Sequence, residues 1–222
     1  MYNEKFLSIH IPKSGQEKEI LKEVKKLGKQ REKRINEQYE KDVEWFYSMP
    51  EEWQFKGVLN RIEKDRQIEL QYGPILIIGS SYISYYPTSD RIGVAEKRGE
   101  TYSKKYAGRI LICGRFEEMF LLELFEAGEM LAKVLWIDGE VSEAEVLQPE
   151  LILGDTAPET LIDEPIAEDD ERYWQKEDFE KIDLFLQRNY HLYADEPRLE
   201  RLEKLPLLEQ SDGIRIYDGQ SI

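Results

Sequence analysis

The side chains whose types and spacing suit chemistry in this chain are acidic and aromatic, and they cluster. Glu168, Asp169, Asp170 and Glu171 stand beside Tyr173 and Trp174, with Arg172 between. Consecutive carboxylates beside broad amphipathic rings suit the capture of a cationic protein surface: the charge speeds encounter and the rings supply contact area. The plainer reading of the same residues is a solvated loop. A second group, Tyr82, Tyr85 and Tyr86, lies among Ser80, Ser81 and Ser84. On a strand Tyr82 and Tyr86 share one face and Tyr85 takes the other. Such a stretch makes an interaction surface, or is ordinary strand composition, since tyrosine suits a pleated sheet. These nine residues are the candidate partner-binding set.

Nucleophiles and metal ligands are scarce. The chain holds two histidines, His10 and His191, near opposite ends, and one cysteine. Cys113 closes the apolar run Ile110-Leu111-Ile112, where a buried thiol is expected. His10 between Ile9 and Ile11 reads as a partly buried structural histidine. His191, in Asn189-Tyr190-His191-Leu192-Tyr193, reads either as a base between aromatics or as a histidine at a helix end. The chain lacks the P-loop, the dinucleotide-binding glycine pattern, the G-x-S-x-G elbow, H-E-x-x-H and C-x-x-C. Asp138-Gly139-Glu140 and Asp169-Asp170-Glu171 offer oxygen ligands for calcium or magnesium, without the spacing of a calcium loop. No catalytic residue, metal ligand or cofactor is therefore assigned. A carboxylate- or divalent-metal-dependent hydrolase stands as the alternative, on the abundance of carboxylates alone.

Charge narrows the partners. Thirty-one Lys and Arg stand against 46 Asp and Glu, a net −15, with mean hydropathy −0.62. A field of that sign repels phosphate backbones and anionic lipid, so neither nucleic acid nor a membrane surface is an expected partner, and a basic protein is. From Asp138 to Asp183, 17 acidic residues face only Arg172, Lys176 and Lys181, a local −14 that nearly equals the whole. No apolar run approaches the ~18 residues a membrane span needs, and Met1 to Pro12 lacks the pattern of a secretory signal. The cytoplasm of a bacterial cell is the expected compartment.

The elements that would position these residues fall into zones of one body, residues 1–222. Phe6, Leu7, Ile9 and Ile11 predict a short strand ended by Pro12. Residues 1–65 are otherwise helical: Ser14-Gly15-Gln16-Glu17 fits a capping box, and Ile20, Val24, Leu27, Ile35, Tyr39, Val43 and Phe46 make one stripe of a long helix over 15–46. Its charged middle, Lys25 to Arg34, is expected to project, and the helix is a candidate oligomerisation element. Pro50-Glu51-Glu52 predicts a second helix burying Trp53, Leu59 and Ile62.

Residues 66–140 switch to period two. Strands are predicted at Ile68–Tyr72, Ile75–Ile78, Tyr82–Tyr86, Ile92–Ala95 and Arg109–Cys113, with a polar loop over Lys97–Lys105. Residues 117–136 read as a hairpin about Gly128 or as one helix. The second turn signal at Asp138-Gly139 favours the hairpin. Residues 141–222 read as acidic and helical, with capping boxes at Ser142 and Thr156, a helix burying Phe179, Ile182, Phe185 and Leu186, an amphipathic piece at Leu199, Leu202 and Leu205, and a closing strand at Ile214, Ile216 and Tyr217. The fold class is α+β: N-terminal helices, a central antiparallel β-meander and a C-terminal acidic helical segment.

The segment FLLELFEAGEMLAKVLWIDG, residues 120–139, resembles hairpins of small bacterial toxin-immunity proteins. The resemblance covers about a tenth of the chain. It implies a non-enzymatic protein that binds a toxin, and it carries no catalytic motif.

Overall fold

The computed structural model describes residues 5–71, 73–87, 92–116, 119–137, 140–141, 147–153, 204–211 and 213–220. The order is β1 (Lys5–Pro12), α1 (Glu17–Ser48), a 3₁₀ turn (Glu51–Trp53), α2 (Lys56–Gln71), β2 (Ile75–Ile78), β3 (Tyr82–Tyr86), α3 (Ile92–Lys105), β4 (Ile110–Phe116), β5 (Met119–Glu126), β6 (Glu129–Ile137), β7 (Glu140–Val141), α4 (Glu150–Leu153), β8 (Leu207–Ser211) and β9 (Ile214–Asp218). The fold is α+β. The acidic helical segment expected between β7 and β8, including both proposed caps, His191 and Phe179 to Leu202, lies mostly outside the described residues.

All the described strands form one nine-stranded sheet in the order β7-β6-β5-β4-β1-β3-β2-β9-β8. The stretch β4-β5-β6-β7 is the predicted antiparallel meander. The rest is not a meander. The N-terminal strand inserts at the middle, between β3 and β4, and the C-terminal strand β9 runs parallel to β2. Central placement explains β1's composition: Leu7, Ser8, Ile9, His10 and Ile11 are all buried, three apolar residues on one face and two polar ones on the other.

One face carries the helices. Ile20 and Val24 of α1, Tyr102 of α3 and Tyr106 just after it pack on Leu7, Ile9, Ile11, Leu76, Ile83, Tyr85, Ile110, Ile112, Phe125, Ile214 and Ile216. Each fully buried aliphatic side chain there contributes about 1.5–3 kcal/mol of transfer free energy. The two helices are also tied to each other, since the Tyr106 hydroxyl donates to Glu23 at 2.6 Å and Lys105 pairs with the same carboxylate. On the opposite face Ile75, Ile77, Tyr86, Leu205 and Tyr217 form a smaller cluster.

The β5–β6 hairpin is as predicted, turning on Ala127-Gly128 with φ of +53° and +89°. Two successive residues at positive φ make the turn whose twist matches the flanking strands.

Two segments fold against expectation. Ile68 and Leu70 alternate with polar residues but belong to α2, where Leu59, Ile62 and Leu70 lie half-buried along one helical side and Ile68 is 40% exposed. Gly73-Pro74 stops the helix there. Residues 92–105, read as a strand and a polar loop, are a single helix, α3. Its glycines lower intrinsic helicity, and tertiary contact overrides them: a Cβ on Gly99 would stand 2.4 Å from the Phe125 ring and 2.9 Å from Ile112. The bare backbone lets α3 lie close on β4 and β5. Gly99→Ala is expected to destabilise the fold by about 1–3 kcal/mol through overpacking. Denaturant unfolding checks this; a neutral outcome would mean that α3 can back away without loss.

α1 begins at Glu17, with Gln16 as its cap residue and no side-chain capping bond, so the Ser14 box is not formed. Nor do residues 25–34 project. Gly28 is buried, its carbonyl lies 3.0 Å from where a Gly213 side chain would begin, and Lys25 reaches Glu209 of β8 at 2.5 Å. The outer half of α1 pairs instead with α2. The buried Ile35, Phe46 and a polar seam hold them: Arg66 donates to Asn36 at 2.9 Å, its guanidinium lies 4.8 Å over the Tyr39 ring, and Arg31 donates to the Glu69 carbonyl at 2.8 Å. The apolar stripe of the helix read as a candidate oligomerisation element is thus largely covered by the chain itself.

Candidate functional site

The stripe that buries Phe46 leaves Trp45 and Tyr47 off its axis, because neighbours on a helix point about 100° apart. Both are exposed, at 57% and 60%. The chain then turns at Pro50 into the 3₁₀ turn. Trp53, expected on the buried face of a second helix, sits in that turn rather than in α2 and is 62% exposed. Phe55, just before α2, is 65% exposed. Four large aromatic side chains are therefore exposed within the one stretch of chain that joins the end of α1 to α2. Singly exposed apolar residues are ordinary; four within eleven positions point to an interaction site.

The stretch is held by hydrogen bonds. Gln54 donates through Nε2 to the Met49 carbonyl at 2.7 Å, and the Ser48 hydroxyl donates to the Trp45 carbonyl at 2.7 Å. Backbone bonds run from Trp53 N to Pro50 O at 2.8 Å, from Phe55 N to Trp53 O at 3.0 Å and from Val58 N to Phe55 O at 2.9 Å. A turn fixed in this way presents its rings with part of the ordering cost of association already met. In sequence the stretch is acidic: Glu40, Asp42, Glu44, Glu51 and Glu52 stand against Lys41 and Lys56.

The residues singled out from sequence are not brought together here. Tyr85 and Tyr86 are buried at 4% and 3%, on opposite faces of the sheet. As an interaction surface the tyrosine group is thereby corrected: alternation on a strand covered on both sides puts both rings in the core. Only Tyr82 is partly exposed, and its partial burial raises its hydroxyl pKa above the ordinary value. Glu168, Asp169, Asp170, Glu171, Tyr173 and Trp174 lie outside the described residues.

His10, read from sequence as a partly buried structural histidine, and Glu123, not singled out from sequence, are both fully buried. His10 accepts or donates at 2.8 Å to the Ser84 hydroxyl through Nδ1 and at 3.0 Å to Ser8 through Nε2. Burial drives its pKa down to about 3, so it is neutral and structural. Glu123 has the carboxyl of Glu96 as its polar neighbour from α3. Burial, then the neighbouring Glu96 charge, raise its pKa to about 8, against the opposing effect of Lys133. Glu123 is sealed beneath α3, where no substrate reaches it. Cys113 is buried, as expected. Among the described residues no group of three or more His, Cys, Asp or Glu is placed to hold a metal ion, and no helix is long and apolar enough to cross a membrane.

Compared with known protein families, curated proteins and solved structures, the chain finds no match in any of the three.

Proposed function

We propose that this protein is a non-enzymatic binding protein, of the immunity or antitoxin kind, that engages a basic partner protein. The observation that supports the reading is the exposure of Trp45, Tyr47, Trp53 and Phe55, each more than half exposed, in a stretch of acidic sequence. Aromatic anchors with acidic neighbours supply affinity through the rings and steering through the charge. The net −15, nearly all of it carried by residues 138–183, adds a field of the same sign.

The immobilised protein is expected to retain a basic protein from extract of its native cell at low ionic strength. That partner should associate more slowly at roughly 1 M salt, where screening acts beyond about 3 Å. Recovery of neutral or acidic partners only, or an association rate indifferent to salt, would count against the reading.

A further inference from the structure

Glu123 faces α3. It shares a side of β5 with Phe125, and its register partner on β4 is Ile112. Those two are the side chains that approach Gly99 of α3. Its partner on β6 is Lys133. One turn before Gly99, α3 brings Glu96, whose Oε1 lies 3.9 Å from the Lys133 ammonium. The facing charges are thus Lys133 from β6 and Glu96 from α3. β4 presents Ile112, Arg98 lies about 200° round α3 from Glu96, and the one titratable side chain of α4, Glu150, is exposed. A carboxyl with no exposed surface, set beside a second carboxylate, tolerates the neutral form and opposes the ionised one.

We propose that α3 is seated on the sheet by a proton: with Glu123 neutral the helix closes over β4 and β5, and with Glu123 ionised it lifts, an alkaline-sensitive latch. The inference does not depend on the binding reading. Its geometry is specific to α3, because that helix supplies both the cover over Glu123 and the like charge beside it. Opening α3 hydrates the carboxyl and returns it to its ordinary range. Between that range and the closed-state value, near pH 8, each opening releases one proton, so the opening equilibrium rises about tenfold per pH unit.

Amide hydrogen exchange on the full chain at a series of pH values tests this. Intrinsic exchange already climbs about tenfold per pH unit, so α3 amides are expected to climb about a hundredfold per unit from pH 5 to 8, and tenfold above it. Amides of α2 should climb tenfold throughout, and those of β1 should exchange more slowly than α3 at every pH. Glu123→Gln should return α3 to the tenfold slope. Should that variant not fold, Glu96→Gln should fold and move the break to lower pH, since it removes the like charge. A tenfold slope for α3 in the native protein, or α3 protection equal to that of β1, would overturn the latch.

Discussion

Replacing Trp53 and Phe55 together with alanine is expected to weaken binding of the basic partner by about 10³–10⁶-fold while leaving the melting temperature within a degree or two. Anchoring aromatic residues at protein interfaces cost about 2–4 kcal/mol each on truncation, and every 1.4 kcal/mol is tenfold. Both rings are more than 60% exposed, so the free protein loses little packing when they go. The turn itself is held by Gln54, Ser48 and backbone groups that the substitutions leave in place. Removing neighbouring charge with Glu51→Gln and Glu52→Gln should act differently, slowing association and flattening its salt dependence with little change in dissociation. Affinity and rates by surface plasmon resonance, alongside thermal unfolding, separate the two effects. Unchanged affinity in the folded double-alanine variant would remove these rings as the binding site.

The contrast between these rings and the tyrosines shows what one sequence does and does not disclose. Alternation placed Tyr82 to Tyr86 on a strand, and the strand is there. What alternation could not supply was the layer count. With a cluster on each face of the sheet, both Tyr85 and Tyr86 become core. The exposed aromatic stretch was legible in principle. Trp45 and Tyr47 fall off the stripe defined by Tyr39, Val43 and Phe46, and a helical wheel alone leaves them outside. Trp53 misled because proline followed by two acids was taken to open α2, whereas that helix starts at Lys56.

Local signals were decoded where the local sequence decides. The hairpin at Ala127-Gly128, the strands after Gly73-Pro74 and the long amphipathic α1 all follow from turn chemistry and periodicity. The misses are tertiary. α3 is a helix despite its glycines because Gly99 must let it approach Phe125, and the place of β1 between β3 and β4 depends on pairing far along the chain. Glu123 left a mark that could be read: a lone charge inside the run Phe120 to Phe125 is either on a solvated face or buried with consequences. The sequence has no means of choosing, because the choice depends on α3.

His10 bears on the same sheet from its other side, and its titration has the opposite sign. The imidazole is neutral between Ser8 and Ser84, with a pKa lowered from 6.5 to about 3 by burial. The unfolded chain takes up a proton as pH falls through 6.5, and the folded chain refuses it until about 3. The unfolded state therefore binds more protons across that window, so stability is full above it and declines as pH falls through it. At about 1.4 kcal/mol per pH unit, the loss attributable to His10 is on the order of 4 kcal/mol by pH 3. Glu123 works the other way, since its raised pKa makes the folded state the tighter proton binder and stability falls as pH rises towards 8. The variant that isolates the acid limb is His10→Gln, whose amide keeps a donor and an acceptor for the two serines but does not titrate. At pH 7 it is expected to be less stable than the native chain by about 1–3 kcal/mol through altered packing and hydrogen bonding. Between pH 6.5 and 4 the difference should shrink steadily, because only the native chain pays the histidine's protonation cost. Urea unfolding at half-unit steps of pH measures it. Parallel curves for the two proteins would show that His10 is hydrated enough to accept its proton in the folded state, and the buried Ser8-His10-Ser84 network would then be open to water.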